Sequence, residues 1–298
     1  MIRSIKIQNF RGIREGGLSD LAPMTLLMGP NNSGKSTCLE AACIPWDPVP
    51  VDGADMVLRR RGWLGLEELD FAIAAAGTTL AVSGTRAPDE RQIESSIKLS
   101  LRNVSLSEAS DAVGAVGLQG SMRACQLSHS LHIGNVQHSG LVHLLVFDEH
   151  GKSCRLHGSA PAQRSDATTS TFLDARVQSD SLADSLSRAD SAGEEAHDRL
   201  LGYLRQVEEP ECYQHTRSLE QLTRILWDTV EAGNQVIAST HSLELLDMLC
   251  QEALNREKGL EKVALFRLAL TEGALRAVRV PGPDIMMLRN DLQEDLRR

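Results

Sequence analysis

Apolar residues along the chain fall into runs whose period changes, and the changes mark the elements. Ile5 and Ile7 stand two apart, on one face of an extended segment, and Phe10 follows just before Arg11-Gly12. Met24-Thr25-Leu26-Leu27-Met28 is a short, nearly unbroken apolar run, the pattern of a strand buried on both faces. It gives way to the turn-forming stretch Gly29-Pro30-Asn31-Asn32-Ser33-Gly34. Lys35 to Ala42 then reads as the start of a helix, which Pro45, Pro48 and Pro50 end. Residues 55–69 carry a helical spacing around Arg59-Arg60-Arg61-Gly62-Trp63. Residues 78–83, 97–101 and 141–147 predict strands. The last of these is joined to 154–156 through the turn Glu149-His150-Gly151-Lys152. Residues 158–170, rich in Ser, Ala, Thr and Asp, predict a loop.

Helical spacing returns over 182–207, where Leu182, Leu186, Ala189, Ala196, Leu200, Leu204 and Val207 recur at threes and fours. It recurs over 217–232, with Leu219, Leu222, Leu226 and Val230 on one face and Gly233-Asn234 as the stop. Gln235 to Ser239 predicts a strand. After Thr240-His241-Ser242 a third helix runs to about Arg256. Two strands, 263–268 and 275–280, flank the turn Thr271-Glu272-Gly273. Strand, loop, helix and later helix, strand, helix is an α/β order, without internal repeats.

Composition narrows the class. A chain of 298 residues, 42% apolar, holds one or two domains and needs no covalent staples. Against 31 Lys and Arg stand 40 Asp and Glu, a net charge of −9, which does not support nucleic-acid binding over the whole surface. Nucleic acid at a local basic patch stays open, with Arg59-Arg60-Arg61 as the densest cluster. A solvated helix face is the plainer reading of it. Aromatic content of 3% argues against base-stacking platforms. No apolar run approaches the ~18 residues of a membrane span, and the first residues lack the apolar core of a signal peptide. Six cysteines without a CxxC pair read as reduced thiols of a cytoplasmic protein. Cys125, His132, His138 and His143 have no standard metal spacing.

The most specific chemistry lies at Gly29-Pro30-Asn31-Asn32-Ser33-Gly34-Lys35-Ser36, which fits G-x-x-x-x-G-K-[ST] between a strand and a helix. A loop there turns backbone N–H groups inward on one anion. Gly34 lets the backbone approach phosphate. Lys35 supplies a point charge for the β- and γ-phosphates. Ser36 Oγ suits Mg²⁺, and the helix N-terminus adds its partial positive charge. The expected cofactors are ATP and Mg²⁺.

Ile5-Lys6-Ile7-Gln8-Asn9-Phe10-Arg11-Gly12, then Gly29 to Thr37 and Leu39-Glu40-Ala41, resembles the N-terminal lobe of ABC-type ATPases of the SMC, RecF and OLD group. More narrowly it is similar to the small coiled-coil-free AAA15-type ATPases. The resemblance covers residues 1–44 and 207–247. It implies an α/β P-loop NTPase fold, an ABC-type ATPase head with a mixed sheet and a helical and β-hairpin insertion. The implied parts are 1–44 with the P-loop, 45–200 as insertion or arm, and 201–298 with the acidic and histidine motifs. It also implies that Arg11, Asn31, Asn32, Ser33 and Thr37 join Gly29, Gly34, Lys35 and Ser36 at the nucleotide. Two heads would sandwich two ATP molecules as a homodimer, with a nuclease or TOPRIM-type partner in defence or DNA repair.

A P-loop needs an acidic partner for metal and water. Leu144-Leu145-Val146-Phe147-Asp148-Glu149 is locally the better strand-plus-acid, while Arg205 and Gln206 interrupt the apolar run before Glu208-Glu209-Pro210-Glu211. In the family, one helix and one strand separate the acidic pair from a switch histidine. After Glu209 come a helix, a strand and His241 in that order. Glu208 is therefore read as the metal carboxylate with Ser36, Glu209 as the residue that polarises water, and His241 as the γ-phosphate sensor. Asp148-Glu149 is read as a hairpin end. Three departures from the family stand out: Glu208 replaces Asp, the strand before it is degraded, and Ser191-Ala192-Gly193-Glu194, the Ser-x-Gly-Glu candidate, is too close to Glu208 for a helix and a strand with their turns. Three functions follow: a Mg-dependent ATPase head that regulates a partner effector, a nucleotide-binding regulatory subunit that has lost hydrolysis, or a non-catalytic scaffold that binds no nucleotide.

Overall fold

The computed structural model describes residues 1–46, 53–54, 57, 73, 77–86, 91–104, 122–148, 153–157, 170–174, 204–209, 216–290 and 295–296. In chain order the elements are β1 (Ile2–Phe10), β2 (Ile13–Ser19), β3 (Met24–Met28), α1 (Lys35–Trp46), β4 (Thr78–Arg86), β5 (Arg91–Val104), β6 (Met122–Ile133), β7 (Val136–Asp148), β8 (Ser153–His157), β9 (Ser170–Asp174), β10 (Leu204–Glu208), α2 (Thr216–Glu231), β11 (Gln235–Ser239), α3 (Leu243–Leu254), a 3-10 turn (Gly259–Lys262), β12 (Val263–Thr271), β13 (Ala274–Pro281) and α4 (Gly282–Asn290).

The described strands form one sheet in the order β8-β7-β6-β5-β4-β1-β2-β13-β12-β3-β11-β10-β9. The run β12-β3-β11-β10-β9 is parallel throughout. From β1 outward through β4 to β8, every pairing is antiparallel. β13 joins the two halves, antiparallel to β12 and parallel to β2.

Period-two alternation sorts the parallel half into two faces. Met24, Leu26, Met28, Val236, Ala238, Val263 and Leu265 pack with α2, α3 and α4. Leu27, Ile237, Ala264, Phe266 and Leu268 face the other way, into the cluster that holds Cys38, Leu39, Ala41 and Ala42 of α1. The helices obey the same logic. α2 is amphipathic and buries Leu219, Leu222, Leu226 and Val230 on one stripe, with Trp227 Nε1 donating to Leu249 O of α3 at 3.0 Å. α1 buries every residue except Ser36. It touches β1, β4 and β5 on one side and β9, β10 and β11 on the other, so the sheet curls around it.

The structure corrects several expectations. Residues 204–207 are strand, not the end of a helix, and the segment read as degraded is a regular parallel strand, β10, between β9 and β11. Neighbours on both sides supply its hydrogen bonds, so two polar residues do not break it. Pro45 does not end α1. The helix runs to Trp46 with Pro45 in its last turn, where its carbonyl accepts from Ser95 Oγ at 2.6 Å. β5 and β7 extend well beyond 97–101 and 141–147, and β2, β6, β9 and α4 have no counterpart among the expected elements. The helical pattern over 182–203, most of 55–69, Arg59-Arg60-Arg61 and Ser191-Ala192-Gly193-Glu194 lie outside the described residues, as do Glu149 and His215.

Candidate functional site

β3 stops at Met28, α1 begins at Lys35, and the loop between them is shaped by its glycines. Gly29, Asn32 and Gly34 have φ of +149°, +63° and +94°. A Cβ on Gly29 would lie 2.3 Å from Leu268 O and 2.7 Å from Ser33 Oγ, so no other residue fits there. Ser33 N donates to Pro30 O at 3.2 Å and Cys38 N to Gly34 O at 2.9 Å, closing the loop onto the helix. Lys35, largely buried, donates from Nζ to Gly29 O and Pro30 O, each at 3.0 Å. Its charge is folded over the loop's own carbonyls, beside the ring of amides it would share with a phosphate.

The loop forms one wall of a cavity of about 470 Å³. Asn31 through Thr37 line it together with Arg11, Gly12, Glu209 and Leu270. Arg11 is the first residue of the two-residue turn between β1 and β2 and has φ +53°, an unusual conformation for a side chain of its size. Arg11 Nη1 donates to Glu40 Oε2 at 2.6 Å, and Glu40 is fully buried within α1. The pair fastens the turn to the helix and holds a guanidinium at the cavity wall.

Two further strand ends meet the loop. β10 delivers Glu208, whose Oε1 accepts from Ser36 Oγ. The next residue, Glu209, has φ +45°. Its N–H donates to Ser239 O at 2.8 Å and to Ser239 Oγ at 3.3 Å. β11 delivers His241, whose Nε2 lies 3.5 Å from Glu209 Oε1. Thr240 N donates to Leu27 O at 3.0 Å, and Ser242 caps α3 by accepting from Leu245 N at 3.0 Å, so His241 sits on a backbone held at both sides. Non-glycine residues in the left-handed region cost roughly 1–3 kcal/mol each and concentrate at working sites. Arg11, Asn32 and Glu209 all border this cavity.

The structure thus brings together residues that the sequence reading paired from far apart: Ser36 with Glu208, and Glu209 with His241. Asp148 ends β7, which pairs antiparallel with β8 and is separated from β3 by seven strands in the sheet order. Glu40, Gly12 and Leu270 were not singled out as site residues. For Glu40 the signal is a lone acid in a helix that is otherwise apolar beyond Thr37. Burial pushes the Cys38, Cys125 and Cys250 thiols up to about 12, which disfavours the nucleophilic thiolate. Among the described residues no three His, Cys, Asp or Glu converge as a metal cage, and no helix is long and apolar enough to cross a membrane.

These elements define an α/β fold with a mixed sheet and a phosphate loop at the end of a central parallel strand, beside an antiparallel half. Residues 1–44 match the AAA ATPase domain family. Over 44 residues the chain is 48% identical to the uncharacterized protein MJECL10 of Methanocaldococcus jannaschii, a stretch that is 15% of this chain and 20% of that protein. The chain therefore spans about a fifth of that relative's length. Among solved structures, the SMC head domain from Thermotoga maritima has a TM-score of 0.44 at 13% identity, covering 94% of this chain and 99% of that one. The Smc head domain with an extended coiled coil bound to the C-terminal domain of ScpA, from Pyrococcus furiosus, has a TM-score of 0.49 at 9% identity, covering 98% and 99%.

Proposed function

We propose that the chain binds Mg²⁺-ATP in this cavity and hydrolyses it to ADP and phosphate. The observation that carries the reading is the meeting of three strand ends: the phosphate loop after β3, Glu208-Glu209 after β10 and His241 after β11. On binding, Lys35 Nζ leaves the Gly29 and Pro30 carbonyls for the β- and γ-phosphates, while the loop amides and the α1 N-terminus take the rest of the charge. Arg11, held by Glu40, adds a second cation at the rim. The Ser36–Glu208 pair is all hard oxygen and suits Mg²⁺, which when bound neutralises charge on the triphosphate. Glu209 accepts the proton of the attacking water, and His241, beside it, contacts the γ-phosphate and that water.

The wider role is a dimerising head whose second copy completes the site and whose cycle regulates an effector, a nuclease or TOPRIM-type protein, in a cytoplasmic defence or repair setting. A titration of phosphate release against protein concentration tests it. Specific activity should rise with concentration and require Mg²⁺. Saturable ATP binding with no release at any concentration would instead support the second reading, a regulator without hydrolysis. Glu208 in place of Asp favours that reading, whereas the intact β10 favours turnover.

A further inference from the structure

Among the described residues that line the phosphate-loop cavity, Leu270 is the one with a large apolar side chain. Its place follows from strand order. β12 runs parallel beside β3, with Arg267 in register with Met28. β3 stops there, while β12 continues to Thr271. Leu268 lies against the loop, since its carbonyl is the group that a Cβ on Gly29 would strike at 2.3 Å. Two residues on, Leu270 shares that face, past the end of β3 and half-buried. The overhang is held in place. The Gly273 carbonyl, in the turn from β12 to β13, accepts from Arg14 N at 2.7 Å and Glu15 N at 3.3 Å. Arg14 Nη2 donates to Glu272 O. These bonds bolt that turn to β2, just after the Arg11–Gly12 turn. A Cβ on Gly12 would stand 3.5 Å from Leu270 Cδ2, so the two turns come within contact range. Glycine at 12 puts no side chain over that methyl.

Order across the sheet decides which part of a nucleotide reaches this wall. Glu209 follows β10 and His241 follows β11, both on one side of β3, and β12 lies on the other. Neighbouring strands stand about 4.8 Å apart, so Glu209 and Leu270 border the cavity roughly three strand spacings from each other. With the γ-phosphate beside Glu209 and His241 and the triphosphate over the loop, the nucleoside extends toward β12. We propose that Leu270 receives the base of the nucleotide on its methyl groups, with the Gly12 backbone beside it. The proposal rests on the phosphate-loop reading above and narrows the ligand class to a nucleoside triphosphate, held in preference to a bare polyphosphate. Leucine has no donor or acceptor with which to read the edge of a base. Its methyls touch the ring face, and the contact draws its strength from apolar area removed from water. Adenine and guanine gain alike from it.

Calorimetry on the full chain with Mg²⁺ compares three probes: a non-hydrolysable ATP analogue, the matching GTP analogue and inorganic tripolyphosphate. Leu270→Ala should weaken both nucleotides about fivefold, close to the effect of one buried methylene, and should not weaken tripolyphosphate. Leu270→Met keeps an apolar contact of similar size and should restore nucleotide affinity. Lys35→Ala should weaken all three probes. An equal loss of nucleotides and tripolyphosphate in Leu270→Ala would assign Leu270 to the shape of the loop and overturn the proposal. A loss confined to one of the two bases would overturn it as well. If Leu270→Ala changes nothing while Lys35→Ala weakens all three, the proposal falls and the phosphate-loop reading stands. If the wild type binds none of the probes, or Lys35→Ala has no effect, both fall.

Discussion

The parallel and antiparallel halves of the sheet contain the same local pattern, a strand ending in two acids, with different outcomes. In the parallel half, β3, β10 and β11 all finish on one side, so the residues after them converge: the phosphate loop, Glu209 and His241. In the antiparallel half consecutive strands finish on opposite sides, and Asp148 at the end of β7 leads only to the return strand β8. The cavity of about 220 Å³ in that half lies on a strand face, among Ser4, Lys6, Ser83, Glu94, Ser96 and His132, not at a set of strand ends. Direction of pairing, more than local composition, makes an acidic strand end into part of a site, as in open α/β sheets generally.

The sharpest way to break that comparison is to exchange the two acids' fates. Glu209→Gln should cut phosphate release by roughly 10²–10⁴-fold, the range for a positioned base, with ATP affinity retained. Glu149→Gln should stay within twofold. A loss confined to Glu149→Gln would mean that the antiparallel half carries the chemistry. The seam between the halves gives the next effect. Gln235 of β11 accepts from Ile2 N at 2.7 Å and donates to Ile2 O at 2.9 Å and Ala22 O at 3.1 Å, all buried. Gln235→Leu removes the side-chain partner of Ile2 N and Ile2 O, at roughly 1–3 kcal/mol each before relaxation, while Ala22 O keeps Thr25 Oγ1 at 2.9 Å. A fall in urea-unfolding stability of less than about 1 kcal/mol would show that the halves do not depend on this clamp.

Lys35→Ala should weaken ATP binding at least tenfold by calorimetry, since a charge-assisted hydrogen bond contributes about 1.5–3 kcal/mol. An unchanged dissociation constant would remove the parallel half's claim to the nucleotide. The smallest effect belongs to one of two glycines of positive φ, and the contrast with the other is the point. Gly134, in the turn between β6 and β7, has φ +57° and open space where a Cβ would stand. Gly134→Ala should lower stability by only about 1–2 kcal/mol, the cost of a left-handed alanine, and leave ATP binding alone. Gly29→Ala must displace the Leu268 carbonyl, and should abolish binding measured the same way.

The parts of this molecule legible in the sequence are those written within one short segment. The phosphate loop is a contiguous motif, and α2 shows its stripe through Leu219, Leu222, Leu226 and Val230. β3 and β11 are apolar because both their faces are covered. β10 is obscured because Leu204-Arg205-Gln206-Val207-Glu208 owes its conformation to two neighbours far away in the chain. The long strands β5 and β6 are hard to read because serine and histidine interleave their apolar positions, and some of these polar residues turn inward. Ser95 is buried, sharing a 2.9 Å hydrogen bond with His129. The Arg11–Glu40 pair is invisible to any local pattern, since it joins a turn to the far side of a helix. Order along the chain does pick Glu208-Glu209 over Asp148-Glu149, because the succession helix, strand, histidine is a property of topology that linear order preserves.

The position of β3 between β11 and β12 has a consequence for how the protein is made. On the ribosome the phosphate loop and α1 emerge well before both strands that flank β3, which follow β10 in the chain. Until then α1, apolar on nearly every side, has no completed sheet to curl around it. Such non-local pairings close slowly and leave apolar surface exposed in the meantime. The nascent chain should therefore call on chaperones for most of its synthesis. A stalled or prematurely terminated product lacking β11 and β12 should aggregate instead of binding nucleotide weakly.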